Sequence, residues 1–274
     1  MSDAPTFAEA AAALRARTER LAQSLRNGHD ADQWVDELSW TIGELAAHMV
    51  SVPRIYRTVV NDPTSFTIPA SMAEFGQGEL EAVGTFDLRE LADLLVAAVD
   101  DLIRTLRPLT DPVVFYTTQM PRHGVLGIAL NELSMHHRDL AVAVDEPFDM
   151  SDRDVVITMH GMMPASEVFN SYEVATKCAG TFHIGLRSGD HWTIRVADGR
   201  VSVTRGLPER ADVRIVGAPL AMVLTSFGRL HPIRAFLTGQ VLVWGRRPWK
   251  LWWLQQLFVE ELSRNADTLG VPTH

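Results

Sequence analysis

Apolar residues recur every three to four positions through most of the first 145 residues, the spacing of a helix with one buried face. This pattern predicts four helices with approximate ranges 7–26, 41–60, 87–107 and 125–144. Two of the starts carry cap signals, because Thr41 is followed three residues later by Glu44, and Asp87 by Glu90. Four such helices joined in sequence predict a bundle. The connection over 61–86 is long for a bundle, and connections of that length are often lids over a site.

Past residue 150 the pattern changes to an alternation of apolar and polar residues, which is typical of half-buried strands. Strands are predicted at 181–187, 191–196, 200–204, 211–216 and 240–244, and helices after Ser151, at 219–227 and at 248–268. Residues 159–164 are expected to link the two parts. The predicted fold class is therefore α plus α+β, with a four-helix bundle over residues 1–150 and a smaller α+β domain over residues 151–274.

Composition narrows the range of functions. A chain of 274 residues is long for one core, which agrees with two domains. The net charge of −9, with only short basic pairs, argues against a nucleic acid partner, since phosphate contacts need clustered Lys and Arg. Cys178 is the only cysteine of the sequence, so neither an internal disulfide nor a cysteine-based zinc cluster is expected.

No targeting or membrane signal is expected from the sequence pattern. The first residues, MSDAPTFAEAAAAL, lack the basic start and apolar run of a signal peptide. Apolar runs of 18 residues are also missing, so no transmembrane helix is predicted. The expected location is the cytoplasm.

Three side chains on two predicted helices suggest metal chemistry. Glu132 and His136 are four residues apart, so they lie one turn apart on the same helix face. His48, on the second helix, can supply a third ligand. Two imidazoles and one carboxylate form the ligand set of a catalytic zinc site, in which the fourth position stays open for water or substrate.

Other interpretations of these residues stay open on spacing alone. His137 lies deeper in the apolar stripe than His136, although Leu133 occupies the place where its carboxylate partner would be. Glu44 repeats the spacing to His48, but its place in the capping box already accounts for it. Asp139 suits either an acceptor that orients a ligand histidine or a solvated residue near the helix end. All of these side chains also suit ordinary hydrogen-bonded or solvated roles.

The same residues carry a resemblance to a known family. Trp40-Thr-Ile-Gly-Glu-Leu-Ala-Ala-His48 resembles the WTxxELxxH segment, and Glu132-xxx-His136-xx-Asp139-Leu resembles the ExxxHxxDL segment, of the mycothiol-dependent maleylpyruvate isomerase family. This family is a branch of the DinB-like bundles, and the resemblance covers residues 6–145. It implies that His48, Glu132 and His136 bind a divalent metal, usually zinc. It also implies that the metal activates the thiol of a low-molecular-weight cofactor such as mycothiol.

The end of the chain has a resemblance of its own. The segment Arg234-Ala-Phe-Leu-Thr-Gly-Gln-Val-Leu-Val-Trp-Gly, followed by a predicted helix, looks like the end of a sterol-carrier-protein-like domain. Members of the family often join such a domain to the bundle. The resemblance implies a catalytic arginine in this half, and Arg246 and Arg247 are the candidates.

These observations predict an enzyme in which a metal-activated thiol attacks a small electrophilic substrate. Addition, rotation and elimination would isomerise a double bond, as in maleylpyruvate, whereas retention of the adduct would make a thiol transferase; the sequence leaves both outcomes open. The expected partners are the thiol and the substrate, and the expected assembly is a monomer or homodimer. The alternative is a non-catalytic small-molecule or lipid carrier, in which any metal is structural or vestigial.

Overall fold

The computed structural model describes residues 3–63 except 37 and 39, residue 78, and residues 80–258 except 117 and 168. The chain divides into two compact units, one formed by residues 6–149 and the other beginning at Met150 and including the first residues of the chain. The first unit is mainly helical and the second contains a five-stranded sheet, which confirms the predicted fold class. Most of the predicted long connection, residues 64–77 and 79, lies outside the described residues.

Four long helices make up the first unit. They are α1 Phe7–Arg26, α2 Ile42–Asn61, α3 Leu88–Leu106 and α4 Arg122–Ala143. The predicted capping box of α2 is present: the Thr41 hydroxyl accepts from the Glu44 N–H, and the Glu44 carboxylate accepts from the Thr41 N–H. The Asp87 side chain caps α3. Helix α4 begins three residues earlier than predicted, directly after Pro121, whose fixed φ suits a helix entry.

The four helices close into a bundle because α1 and α2 each pack against both α3 and α4. Leucines with no exposed surface fill its interior, including Leu14, Leu21, Leu45, Leu91, Leu95, Leu102, Leu126 and Leu133. The packing of α2 against α4 brings the faces that carry His48 and Glu132 toward each other. Among the described helices, none combines the length and the apolar character needed to cross a membrane.

Two short hairpins in the helix connections were not predicted. β1 Trp34–Val35 pairs with β2 Trp40–Thr41, and β3 Val113–Phe115 pairs with β4 Thr118–Met120, both antiparallel. Strands of two or three residues are too short to produce a recognisable alternation. Both hairpins matter for the site, because β2 presents Trp40 and the turn after β3 presents Tyr116.

The second unit begins with α5 Asp152–Ala165, capped as predicted by the Ser151 side chain. The prediction that residues 159–164 form a link is wrong, because they continue α5 and Pro164 sits in its last turn. Three further helices are α6 Tyr172–Lys177, α7 Pro219–Ser226 and α8 Pro232–Leu237. Residues 250–258 are helical, as predicted, and the rest of the predicted closing helix lies outside the described chain.

The sheet of the second unit contains β5 Gly180–Leu186, β6 His191–Ala197, β7 Arg200–Arg205, β8 Val213–Gly217 and β9 Val241–Trp244. The strand order is β7-β6-β5-β8-β9, in which β5 and β8 run parallel and the other neighbours run antiparallel. One face carries the apolar side chains Phe182, Ile184, Leu186, Trp192, Ile194 and Ile215, which are all buried.

The stability of the second unit is expected to fall on acidification through His183. Nε2 of this buried residue lies 3.1 Å from Nδ1 of His191, and burial, with His191 and Arg214 nearby, lowers the pKa of His183 to about 4. Its usual value is 6.5, so between pH 6.5 and pH 4 the unfolded chain binds a proton that the folded unit does not. The free energy of unfolding should therefore decrease across that window, by on the order of 1 kcal/mol at pH 5.

Urea unfolding at pH 7 and pH 5, for the wild type and for His183→Gln, measures this contribution. The glutamine variant should lose less stability on acidification than the wild type does. Equal losses in the two proteins would show that His183 is not the group responsible.

Candidate metal centre

Three of the predicted site residues come together inside the first unit. His48 on α2 and Glu132 and His136 on α4 each offer one ligand atom, and these atoms all lie within 4.8 Å of one another. Nε2 of His136 is 3.8 Å from Oε2 of Glu132. Ligand atoms of one tetrahedral zinc lie roughly 3.4 Å apart, so this pair is close to the separation that binding requires. All three side chains are half-buried.

The protonation state of His48 also suits a ligand. Burial, with His136 nearby, lowers the pKa of His48 to about 3, so its imidazole is neutral at physiological pH. The two imidazole rings are nearly perpendicular, with centroids 4.9 Å apart. A neutral imidazole keeps a lone pair for a metal, and Glu132 supplies a negative charge beside it. The donor set therefore fits a divalent ion.

Asp139 lies behind His136, on the Nδ1 side of the imidazole. Its Oδ2 is 3.5 Å from Nδ1 of His136, and its side chain is fully buried, so the alternative of a solvated helix-end residue is wrong. A carboxylate that faces one ring nitrogen favours the tautomer with the proton on that side. The other nitrogen, Nε2, is the one that faces Glu132.

His137, the alternative ligand left open by the sequence, lies in a different environment. Its Nδ1 is 3.0 Å from a guanidinium nitrogen of Arg17, and its ring packs edge-on against Phe148. Burial and then the charges of Arg17 and Arg20 lower the pKa of His137 to about 4. The structure thus brings His136, and not His137, to the cluster with His48 and Glu132.

Sequence reasoning missed the arginine that holds His137. Arg17 is 1% exposed, donates from Nη2 to the Asp149 carbonyl at 2.6 Å, and lies over the Phe148 ring at 5.0 Å. It joins α1 to α4 and to the segment that follows α4. In the sequence, Arg17 looks like an ordinary surface residue of an alanine-rich helix, so no pattern signals this role.

Two tyrosines near Glu132 were also missed. Burial and then the charge of Glu132 raise the pKa of Tyr116, and the same two causes, with Tyr116, raise that of Tyr56. Both hydroxyls therefore stay protonated. The ring of Phe115 packs edge-on against both tyrosines, with centroid distances of 4.7 Å to Tyr116 and 5.1 Å to Tyr56. Tyr116 also has a φ of 53°, a conformation that is rare for residues other than glycine and is often found at functional sites.

The two candidate arginines belong to the second unit. Arg246 and Arg247 are exposed and follow β9. The Arg247 guanidinium lies 3.5 Å from Asp212, and its backbone N–H donates to the Asp212 carbonyl at 2.9 Å. A catalytic role for either arginine stays a prediction.

Comparison with known protein families gives one match in each of the two units. The model of the mycothiol maleylpyruvate isomerase N-terminal domain matches residues 11–141, and that of the SCP-2 sterol transfer family matches residues 166–246. No curated protein sequence matches the chain.

Several solved structures are similar to parts or most of the chain. A mycothiol-dependent maleylpyruvate isomerase is 17% identical, with a TM-score of 0.47, over 85% of this chain and 94% of its own. A histidine-to-alanine mutant of that isomerase is 16% identical, with a TM-score of 0.50, over 89% and 95%. A stereoselective inverting sec-alkylsulfatase from Pseudomonas sp. is 14% identical, with a TM-score of 0.35, over 50% of this chain. The chain spans only 24% of the length of that sulfatase.

The family rests on the two domain matches in their order along the chain. The chain belongs to the mycothiol-dependent maleylpyruvate isomerase family, with the N-terminal domain of that family over residues 11–141 and an SCP-2 domain over residues 166–246.

Proposed function

We propose that this protein is a metal-dependent enzyme that uses a low-molecular-weight thiol, mycothiol, to isomerise a small unsaturated acid such as maleylpyruvate or to transfer the thiol to an electrophile. The observation that carries the proposal is the convergence of His48, Glu132 and His136 within 4.8 Å in a domain of this family. The proposed compartment is the cytoplasm, where a thiol cofactor is kept reduced.

The proposed metal is zinc, held by His48, Glu132 and His136. When bound, such an ion lowers the pKa of a thiol, so that a nucleophile is available at neutral pH. The chain would contribute two imidazoles and one carboxylate, the ligand set that in catalytic zinc sites leaves one position for water or substrate. Asp139 keeps the imidazole of His136 in the required tautomer by facing its Nδ1.

Other side chains of the bundle suit the binding of an acid. The hydroxyls of Tyr56 and Tyr116 stay protonated beside Glu132, so they are hydrogen-bond donors and not additional negative charges. Donors of this kind can orient the oxygens of a small keto acid and stabilise negative charge that develops on them.

Arg246 and Arg247 are proposed to bind the substrate carboxylate, which a guanidinium can engage with two parallel hydrogen bonds. The ion pair of Arg247 with Asp212 would compete with such binding.

Metal content tests the proposal directly. Purified wild-type protein is expected to hold about one divalent ion per chain, whereas His48→Ala and His136→Ala are expected to hold almost none, because each leaves only two ligands. Elemental analysis after chelator-free purification and resupply of zinc is the measurement. His123→Ala is the matched control: His123 lies on α4 in its first turn, outside the ligand cluster, so this variant should keep its metal.

Two assays on the zinc-loaded protein with mycothiol then distinguish isomerisation from thiol transfer. Loss of the maleylpyruvate absorbance without loss of thiol indicates isomerisation, whereas consumption of thiol together with an electrophile indicates transfer.

A non-catalytic carrier is the second candidate function, and the match of residues 166–246 to the SCP-2 sterol transfer family favours it. Wild-type protein that remains metal-free after zinc is resupplied would contradict the enzyme proposal and support the carrier.

A further inference from the structure

An aromatic residue that belongs neither to the ligand set nor to the bundle core lies against both histidines of the cluster. The ring centroid of Trp40 is 4.8 Å from that of His48 and 6.1 Å from that of His136, with interplanar angles of 44° and 45°. Because the two imidazoles are themselves 4.9 Å apart, the three rings form a closed triangle. The half-buried indole therefore covers the same two side chains that converge on Glu132.

The backbone holds Trp40 firmly relative to His48. Trp40 lies in β2, paired with Val35 of β1, and precedes the cap residue of α2. Two further hydrogen bonds tie the start of α2 to the preceding segment: the Ile42 N–H donates to the Gln33 carbonyl at 2.9 Å, and the Gly43 N–H donates to the Ala31 carbonyl at 2.8 Å. The hairpin and the first turn of α2 thus act as one piece, which fixes where the indole can lie.

A histidine side chain rotates about two torsions, and its ring can bind a metal only when the correct nitrogen faces the ion. An aromatic ring packed against the imidazole restricts this rotation. Partners that orient ligand side chains typically change metal affinity by about 10-fold to 100-fold. Asp139 can perform this task for His136 from the Nδ1 side. Trp40 packs on both histidines together.

We propose that Trp40 is a positioning residue of the metal centre, and that it pre-organises the imidazoles of His48 and His136 by packing against both rings. This inference rests on the proposed function, because it assumes that the two histidines are ligands. It assigns to the tryptophan a role in ligand orientation and none in the reaction itself.

Two substitutions distinguish an indole that orients the imidazoles from a side chain that only fills apolar space. Trp40→Leu keeps an apolar side chain before the α2 cap but removes the flat ring, and Trp40→Phe keeps a smaller ring. Zinc affinity, measured by competition with a chromophoric chelator, is expected to fall about 10-fold or more in Trp40→Leu and by less in Trp40→Phe. The visible absorption of bound Co²⁺, which reports ligand geometry, should change in the same order.

Trp34→Phe is the matched control, because Trp34 lies on the partner strand of the same hairpin and its side chain is 63% exposed. It should bind zinc as the wild type does. Circular dichroism of the metal-free proteins checks that each variant folds. If Trp40→Leu does not fold, the zinc affinity and Co²⁺ spectrum of Trp40→Phe test the inference, since the smaller phenyl ring cannot cover both imidazoles as the indole does.

Wild-type affinity and an unchanged Co²⁺ spectrum in the folded Trp40 variants would overturn the inference about Trp40 and leave the proposed function standing. A wild-type protein that binds neither ion would instead overturn the proposed function, and the inference with it.

Discussion

Replacing Glu132 with glutamine is expected to weaken zinc binding by more than the roughly 100-fold that loss of an orienting partner typically costs. Glutamine matches glutamate in size, so the change removes a charge and leaves the shape. Glu132 is the only anion in the ligand set, and His48 and His136 are both neutral donors when they bind a metal. Without it, a divalent ion in this half-buried site would lack a compensating charge among its ligands.

The same substitution should leave the fold intact, because the Glu132 side chain is 30% exposed. Competition with a chromophoric chelator measures the affinity, and thermal unfolding of the metal-free protein measures stability. Glu19→Gln, an exposed position on α1, is the control for loss of one negative charge. A Glu132→Gln protein that binds zinc as tightly as the wild type would remove Glu132 from the ligand set.

Replacing Arg17 with methionine is expected to lower the free energy of unfolding of the bundle by about 3 kcal/mol, since one buried acceptor and one partly buried acceptor lose their donor. These acceptors are Nδ1 of His137 and the Asp149 carbonyl. The ring of Phe148 also loses the guanidinium that lies over it. For a unit of this size, such a loss corresponds to a fall in Tm of roughly 6–12 °C.

Arg20→Met is the matched control on the same helix. Arg20 pairs with the Asp149 carboxylate at 3.6 Å, but both side chains are largely exposed, so this ion pair should contribute less than about 1 kcal/mol. Thermal melts of the two variants and the wild type, followed by circular dichroism, give the comparison. Similar Tm values for Arg17→Met and Arg20→Met would show that burial adds nothing to the interaction of Arg17.

The sequence predicted well those elements whose ends are marked by local chemistry. The capping pair of Thr41 and Glu44 set the start of α2 correctly, because it satisfies backbone groups within one turn. The start of α4 was misplaced by three residues, since Pro121 serves as its cap residue with no side-chain hydrogen bond. Residues 159–164 are predicted to link the two parts, yet they continue α5, with Pro164 in its last turn.

In the candidate site, too, the sequence predicts the residues that are related by local spacing and misses those that are brought together by packing. Glu132 and His136 were predicted from their spacing, because one helical turn brings them to the same face. Tyr116 and Trp40 reach the site from hairpins too short to be recognised, and Arg17 meets His137 across 120 positions of sequence. Contacts of that kind depend on how the helices pack, and a single sequence has no local pattern that encodes them.

The strand order of the second unit has a consequence for how fast each part of the chain folds. β5 pairs on one side with β6, which follows it after a short turn. On its other side β5 pairs with the parallel strand β8, so that Phe182 lies opposite Val213, which is much farther along the sequence. Closing that larger loop costs chain entropy before any sheet contact offsets it. The bundle gains many of its contacts within single helices, so we expect it to form in an earlier kinetic phase, while the completed sheet appears in a slower one.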